Sequence, residues 1–185
     1  PPVRATAIGV ARSGATVVLV EKSAQLGGTT ALSVGTICAT STQLQREAGI
    51  EDNPDSHFSD MEKFMGPLVA RDNPSLRRIL VDNAPEAVRT LEELGVTFMG
   101  PLPEPPHSES RLHAVLPHSR SFIRHLEDAC RRQGVRILTG HRATSLIKDD
   151  GVVRGVGITA DDGEKIFEAH KGVILASGDF SSAEP

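Results

Sequence analysis

The chain has no tryptophan and no tyrosine, and its aromatic side chains are six phenylalanines. A buried core must therefore draw its large contacts from Phe and the aliphatic residues. Cysteine is almost as scarce. Cys38 and Cys130 stand far apart, in no Cys-x-x-Cys pair and at no zinc-ligand spacing, so reduced thiols in a cytoplasmic setting are expected. No His-Glu-x-x-His or other metal spacing occurs, and no metal is expected. No apolar run approaches the roughly 18 residues of a membrane span, and no signal peptide is visible. An excess of positive charge is missing too. The net charge is −4, and "RRIL" and "CRRQG" are short runs in helix-like contexts, so nucleic acid is not an expected partner. The 185 residues suit one domain, or one domain carrying an insertion.

The patterning that is present reads as mixed α/β. Residues 4–13, "RATAIGVARS", predict a helix stopped by Gly14. "TVVLVE" predicts a buried parallel strand, being short, β-branched and apolar on both faces. Residues 23–41 read as a loop rich in Gly, Ser and Thr. Helices are expected over 56–66 and 75–94, the second divided at Pro85. "GVTFM" reads as a strand and "GPLPEPPHSES" as a surface loop. "SRSFIRHLEDACRRQG" is an amphipathic helix with Ser119 or Ser121 at its cap and Gly134 at its end. Three strand-like runs follow. Asp149-Asp150-Gly151 and Asp161-Asp162-Gly163 carry hairpin chemistry and predict an antiparallel meander over about 141–170. A parallel core is expected from residues near 16–21, 135–138 and 172–175.

Glu21 ends the first strand. In a βαβ nucleotide-binding unit a carboxylate there accepts the ribose hydroxyls, although a solvated charge that merely ends a strand has the same sequence. Gly27 and Gly28 follow six and seven residues later. Backbone without side chains lets a cofactor approach, and its N–H groups can face phosphate oxygens. Thr29, Thr30 and Ser33 add hydroxyl donors. Together these residues point to nucleotide contact.

"GATVVLVEKSAQLGGTTALSVGT" resembles the second half of the FAD-binding fingerprint of the fumarate reductase and succinate dehydrogenase flavoprotein superfamily, which also includes 3-ketosteroid dehydrogenases and urocanate reductases. "APEAVRTLEELGVTF" resembles a helix and strand of that family's substrate-side insertion, and "GVILASGDF" its late "VILATGGF". The resemblance implies a Rossmann-like FAD-binding domain over 1–45 and 135–185, with an antiparallel β-meander and a mostly helical insertion over 46–134. It implies a flavin-dependent oxidoreductase that moves hydride between flavin and a small substrate. It also implies that Glu21 holds the adenosine ribose with Lys22 beside it, and that Gly27, Gly28, Thr29, Thr30, Ser33 and Gly35 wrap the pyrophosphate and flavin. Ala143 would offer backbone to the adenine, while Ala176, Ser177 and Gly178 would close over the nucleotide. Thr36, Ser177 and Asp179 depart from the family pattern. Members that attach FAD covalently use a histidine near the position of Thr29. None occurs before His57, so noncovalent FAD is expected.

The family opens with a first strand and G-x-G-x-x-G. Counting back from Glu21 puts the third glycine at Val3, so the first strand and glycine loop are expected to be missing and the chain to be a fragment without its catalytic cap. "HSESRLHAVLPHSR" gathers His, Arg and Ser, and reads as an exposed polar loop rather than a catalytic cluster. A non-catalytic nucleotide-binding or interaction module stays open as an alternative. An NAD-dependent Rossmann enzyme does not call for a Gly-Thr loop after the acid.

Overall fold

A computed structural model describes residues 2–178. It divides into two compact units, residues 1–28 with 126–185, and residues 29–125.

In the first unit, helix α1 (Pro2–Arg12) starts on a proline, whose missing N–H costs nothing in a first turn. It buries Ala7 and Ile8, and Gly14 ends it at φ +83°. Val3, the position of the expected third glycine, lies in its first turn. Strand β1 (Val18–Val20) pairs in parallel with β5 (Arg136–Leu138), with Leu19 opposite Ile137. The antiparallel meander is β6 (Arg142–Asp149), β7 (Val152–Ala160) and β8 (Gly163–Glu168). Asp150 and Gly151 both take positive φ at its first turn, the geometry a two-residue hairpin requires. Residues 172–175 differ from expectation and form no strand; Ile174 and Leu175 are 60% and 69% exposed. Strand preference is realised only against a neighbouring ladder, and among the described residues β1 pairs with β5 alone.

The second unit holds helices α2 (Gln43–Glu47), α3 (Pro54–Met65) and α4 (Pro74–Glu93). It also holds a three-stranded antiparallel sheet, in the order β2 (Thr36–Cys38), β4 (Leu112–Leu116), β3 (Thr97–Leu102). Residues 46–134 thus include two of this sheet's strands as well as helices. Strands β2 and β4 fall in stretches expected to be loop. Helix α4 runs unbroken through Pro85. Arg77, Val81, Ala84 and Val88 form one buried stripe on both sides of the proline, and this packing outweighs the lost hydrogen bond. Helix α5 (Arg120–Arg132) follows the expected pattern, burying Phe122, Ile123, Leu126, Ala129 and Cys130. The Ser119 hydroxyl donates to Ala31 O, 3.3 Å away.

Candidate functional site

Glu21 sits at the C-terminal end of β1, where ligands collect in open parallel sheets. Its N–H donates to Leu138 O and its carbonyl accepts from His141 N, both at 2.9 Å. The strand end is therefore pinned to the segment that leads into Ala143. One carboxylate oxygen, Oε1, accepts from Ser23 N at 2.8 Å, which aims the half-buried side chain within its own turn. Lys22 and Ala143 are exposed. Gly27 and Gly28 take φ +150° and +51°, and a Cβ on Gly28 would meet nothing within 4 Å. A carboxylate acceptor at a strand end, followed by bare and open backbone, suits a ribose and its phosphates. Beside this turn a cavity of about 370 Å³ lies between residues 24–26, Ile137 and Thr139, and Glu127 and Arg131 of α5. Ala176, Ser177 and Gly178 are exposed and irregular; Asp179 lies outside the described residues.

Thr29, Thr30, Ser33 and Gly35 belong to the second unit. A 3-10 turn spans Gly28–Leu32, and Ser33 spends its hydroxyl on Thr30 O at 2.9 Å. Gly35 is buried at φ +80°; its carbonyl accepts from Val115 N at 2.9 Å.

The second unit also contains a polar cluster in a stretch whose sequence reads as an exposed loop. Arg111 is wholly buried on entry to β4. It grips Asp52 with Nε at 2.7 Å and Nη2 at 2.8 Å, and Nη1 donates to Asp60 and to His107 Nδ1. Gln45 and Ser108 add donors to the two carboxylates. Burial alone would raise the carboxyl groups of Asp52 and Asp60, but the bonds from Arg111 and these donors hold both below the ordinary range. Burial lowers Arg111 less than the two aspartates raise it. His113 donates Nδ1–H to Arg111 O at 2.7 Å and accepts from Thr42 at 2.8 Å, and burial lowers its pKa. The alternation Arg111, His113, Val115 on one face was the available sign that this stretch is a strand.

Comparison with known proteins decides the family. The model of the FAD binding domain family matches residues 4–185. This chain belongs to the FAD-binding domain family. It is 28% identical over 181 residues to the NADH:fumarate oxidoreductase of Klebsiella pneumoniae (strain 342), covering 96% of this chain and 19% of that protein. It is 32% identical over 137 residues to a polypeptide of the fumarate reductase (CoM/CoB) of Methanothermobacter marburgensis, covering 69% of this chain and 24% of that polypeptide. Its fold matches the crystal structure of the 3-ketosteroid-Δ4-(5α)-dehydrogenase of Rhodococcus jostii RHA1 in complex with 4-androstene-3,17-dione. The TM-score is 0.83 at 24% identity, over 96% of this chain and 44% of that one. The chain thus spans less than half the length of each of these relatives. Its FAD-binding domain is similar to that of fumarate reductase flavoproteins. Among the described residues no helix is long and apolar enough to cross a membrane.

Proposed function

We propose that this chain is the FAD-holding portion of a flavin-dependent oxidoreductase that exchanges hydride with a small activated alkene, as in reduction of a fumarate-like unsaturated acid. The observation that carries the reading is Glu21 at the end of β1, ahead of Gly27 and the open backbone of Gly28, in a chain of the FAD-binding family. FAD, when bound, supplies the redox chemistry at its isoalloxazine ring. In this reading Glu21 accepts the ribose hydroxyls, with Lys22 beside it. Gly27, Gly28, Thr29, Thr30, Ser33 and Gly35 line the pyrophosphate and flavin. Ala143 meets the adenine, and Ala176, Ser177 and Gly178 close over the nucleotide. The flavin is held noncovalently, because the glycine-rich segment contains no histidine. Residues 1–45 and 135–185 serve the cofactor, and 46–134 is the insertion. A cytoplasmic setting suits the reduced thiols.

The test is FAD titration by flavin fluorescence, in the whole flavoprotein of which this chain is proposed to be a portion. Glu21→Ala is expected to weaken FAD by about 1.5–3 kcal/mol, the range for hydrogen bonds to a charged group. Unchanged affinity would show that Glu21 only ends a strand. Turnover of an unsaturated acid with a reduced dye then separates an oxidoreductase from a module that holds nucleotide without reacting.

A further inference from the structure

Of the two thiols, Cys130 is buried and Cys38 is only partly covered. Cys38 lies on β2, and its Sγ donates to Glu104 Oε2 at 3.1 Å. The same oxygen is 3.9 Å from Nε2 of His107. The tautomer of that ring is set from its other side. Arg111 Nη1 donates into Nδ1 at 3.1 Å, so the proton of the neutral ring is on Nε2 and faces Glu104. The sulfur, carboxylate and imidazole atoms lie within 4.8 Å of one another. A metal ion on Nε2 would require the neutral ring's proton on Nδ1, the position into which Arg111 Nη1 donates. The Glu104 carboxylate accepts the Cys38 hydrogen bond, and His107 Nε2 stands beyond hydrogen-bond distance from it.

We propose that Glu104 protects Cys38 from covalent addition of electrophilic alkenes by holding its sulfur as an S–H donor. The inference rests on the activated-alkene reading of the preceding section. An alkene conjugated to a carboxyl group has an electrophilic β-carbon, and the thiolate, not the thiol, attacks it. In that step a C–S bond forms and the C=C π pair moves to the α-carbon. The α-carbon takes a proton from water, replacing the proton the thiol gave up, and no oxidant or reductant is consumed. A protein that works beside such compounds loses any accessible thiolate to this reaction. Burial shields Cys130. Cys38 is only partly covered, so burial alone does not shield it. Burial and the Glu104 carboxylate together push its thiol up to about 12. Arg111 pulls the other way, but its charge is taken up by Asp52 and Asp60.

The test is site-resolved mass spectrometry of the whole chain during alkylation by iodoacetamide and, separately, by acrylate, between about pH 7 and 10. In the wild type the Cys38 rate should still be rising at the top of that range. Glu104→Gln should raise the rate about tenfold at mildly alkaline pH with both reagents, as expected for a thiol pKa about one unit lower, and move the profile to lower pH. Cys38→Ser removes the modified peptide, and an unmodified Cys130 reports that the fold stays closed. A wild-type profile that levels off near the ordinary thiol pKa of about 8.5 overturns the proposal without reference to any variant. So do equal Cys38 rates in wild type and Glu104→Gln. Acceleration with iodoacetamide but none with acrylate overturns the alkene part. The iodoacetamide arm is independent of FAD, so failure of the cofactor reading is seen separately.

Discussion

At the scale of single residues, the same glycine can serve a ligand or serve packing, and Gly35 has a packing duty whatever the cofactor asks of it. A Cβ there would stand 2.5 Å from Val115 Cγ1 and 3.0 Å from Ser119 Cα, on a backbone at φ +80°. Gly35→Ala is therefore expected to lose about 2–4 kcal/mol in urea unfolding, combining left-handed strain with overpacking. Gly28→Ala meets open space and should lose only about 1 kcal/mol from the backbone. Equal losses would remove the packing argument. His57 is a second case. Among the described residues its buried Nδ1 has no hydrogen-bond partner, and burial, reinforced by the charges of Arg111 and His107, lowers its pKa from 6.5 to about 4. Above the unfolded value both states are neutral and His57 adds no pH dependence. As pH falls from 6.5 towards 4 the unfolded chain takes a proton that the folded chain refuses, so stability is lost across that window. Urea melts through this range should show a flatter slope in His57→Phe, by about 1–2 kcal/mol in total after allowance for solvent screening. His107 and His113 are shifted in the same direction, so some slope should survive. An unchanged slope would mean that His57 titrates normally.

At the scale of elements, the legible parts were those whose signals are local. The helix stripe at Phe122, Ile123, Leu126 and Cys130, and the Asp-Gly turns of the meander, state their structure within a few residues. Thr42 and Gln45 form a capping box for α2, a helix the sequence reading did not include. Pro85 misled because helix-breaking is a local preference, and the buried stripe that overrides it is tertiary. Strands β2 and β4 were hidden because their short segments are strands only through each other and β3. The candidate nucleotide site was legible as the Glu21 and Gly27–Gly28 spacing. The Arg111 cluster was not, since its partners Asp52 and Asp60 lie 59 and 51 residues away. That cluster joins the turn before α3, α3 itself and β4. Asp52→Ala leaves a buried guanidinium without its two-pronged partner and should cost about 3–5 kcal/mol by equilibrium unfolding. Removal of Arg78, which pairs with Asp55 and Asp82 on the surface, should cost far less. Equal effects would show that the buried cluster adds nothing beyond a surface pair.

At the scale of the whole molecule, each of the two units has its own sheet structure, and the chain is under half the length of the relatives it matches. Glu21, Gly27 and Gly28 lie in one unit, and the buried Arg111 cluster lies in the other. The long reach of Arg111 has a consequence for the clock rather than the balance. Its two ion pairs close loops of more than fifty residues, and that closure entropy is spent before any bond forms. Such contacts belong to the last stage of folding, on the native side of the barrier. In stopped-flow experiments Asp52→Ala should then refold at nearly the wild-type rate and unfold about a hundredfold faster or more, since a loss of about 3 kcal/mol confined to the unfolding limb has that size. Refolding slowed in proportion would place the cluster in the nucleus instead. With late formation, Arg111 acts as a latch that sets how long the native state lasts.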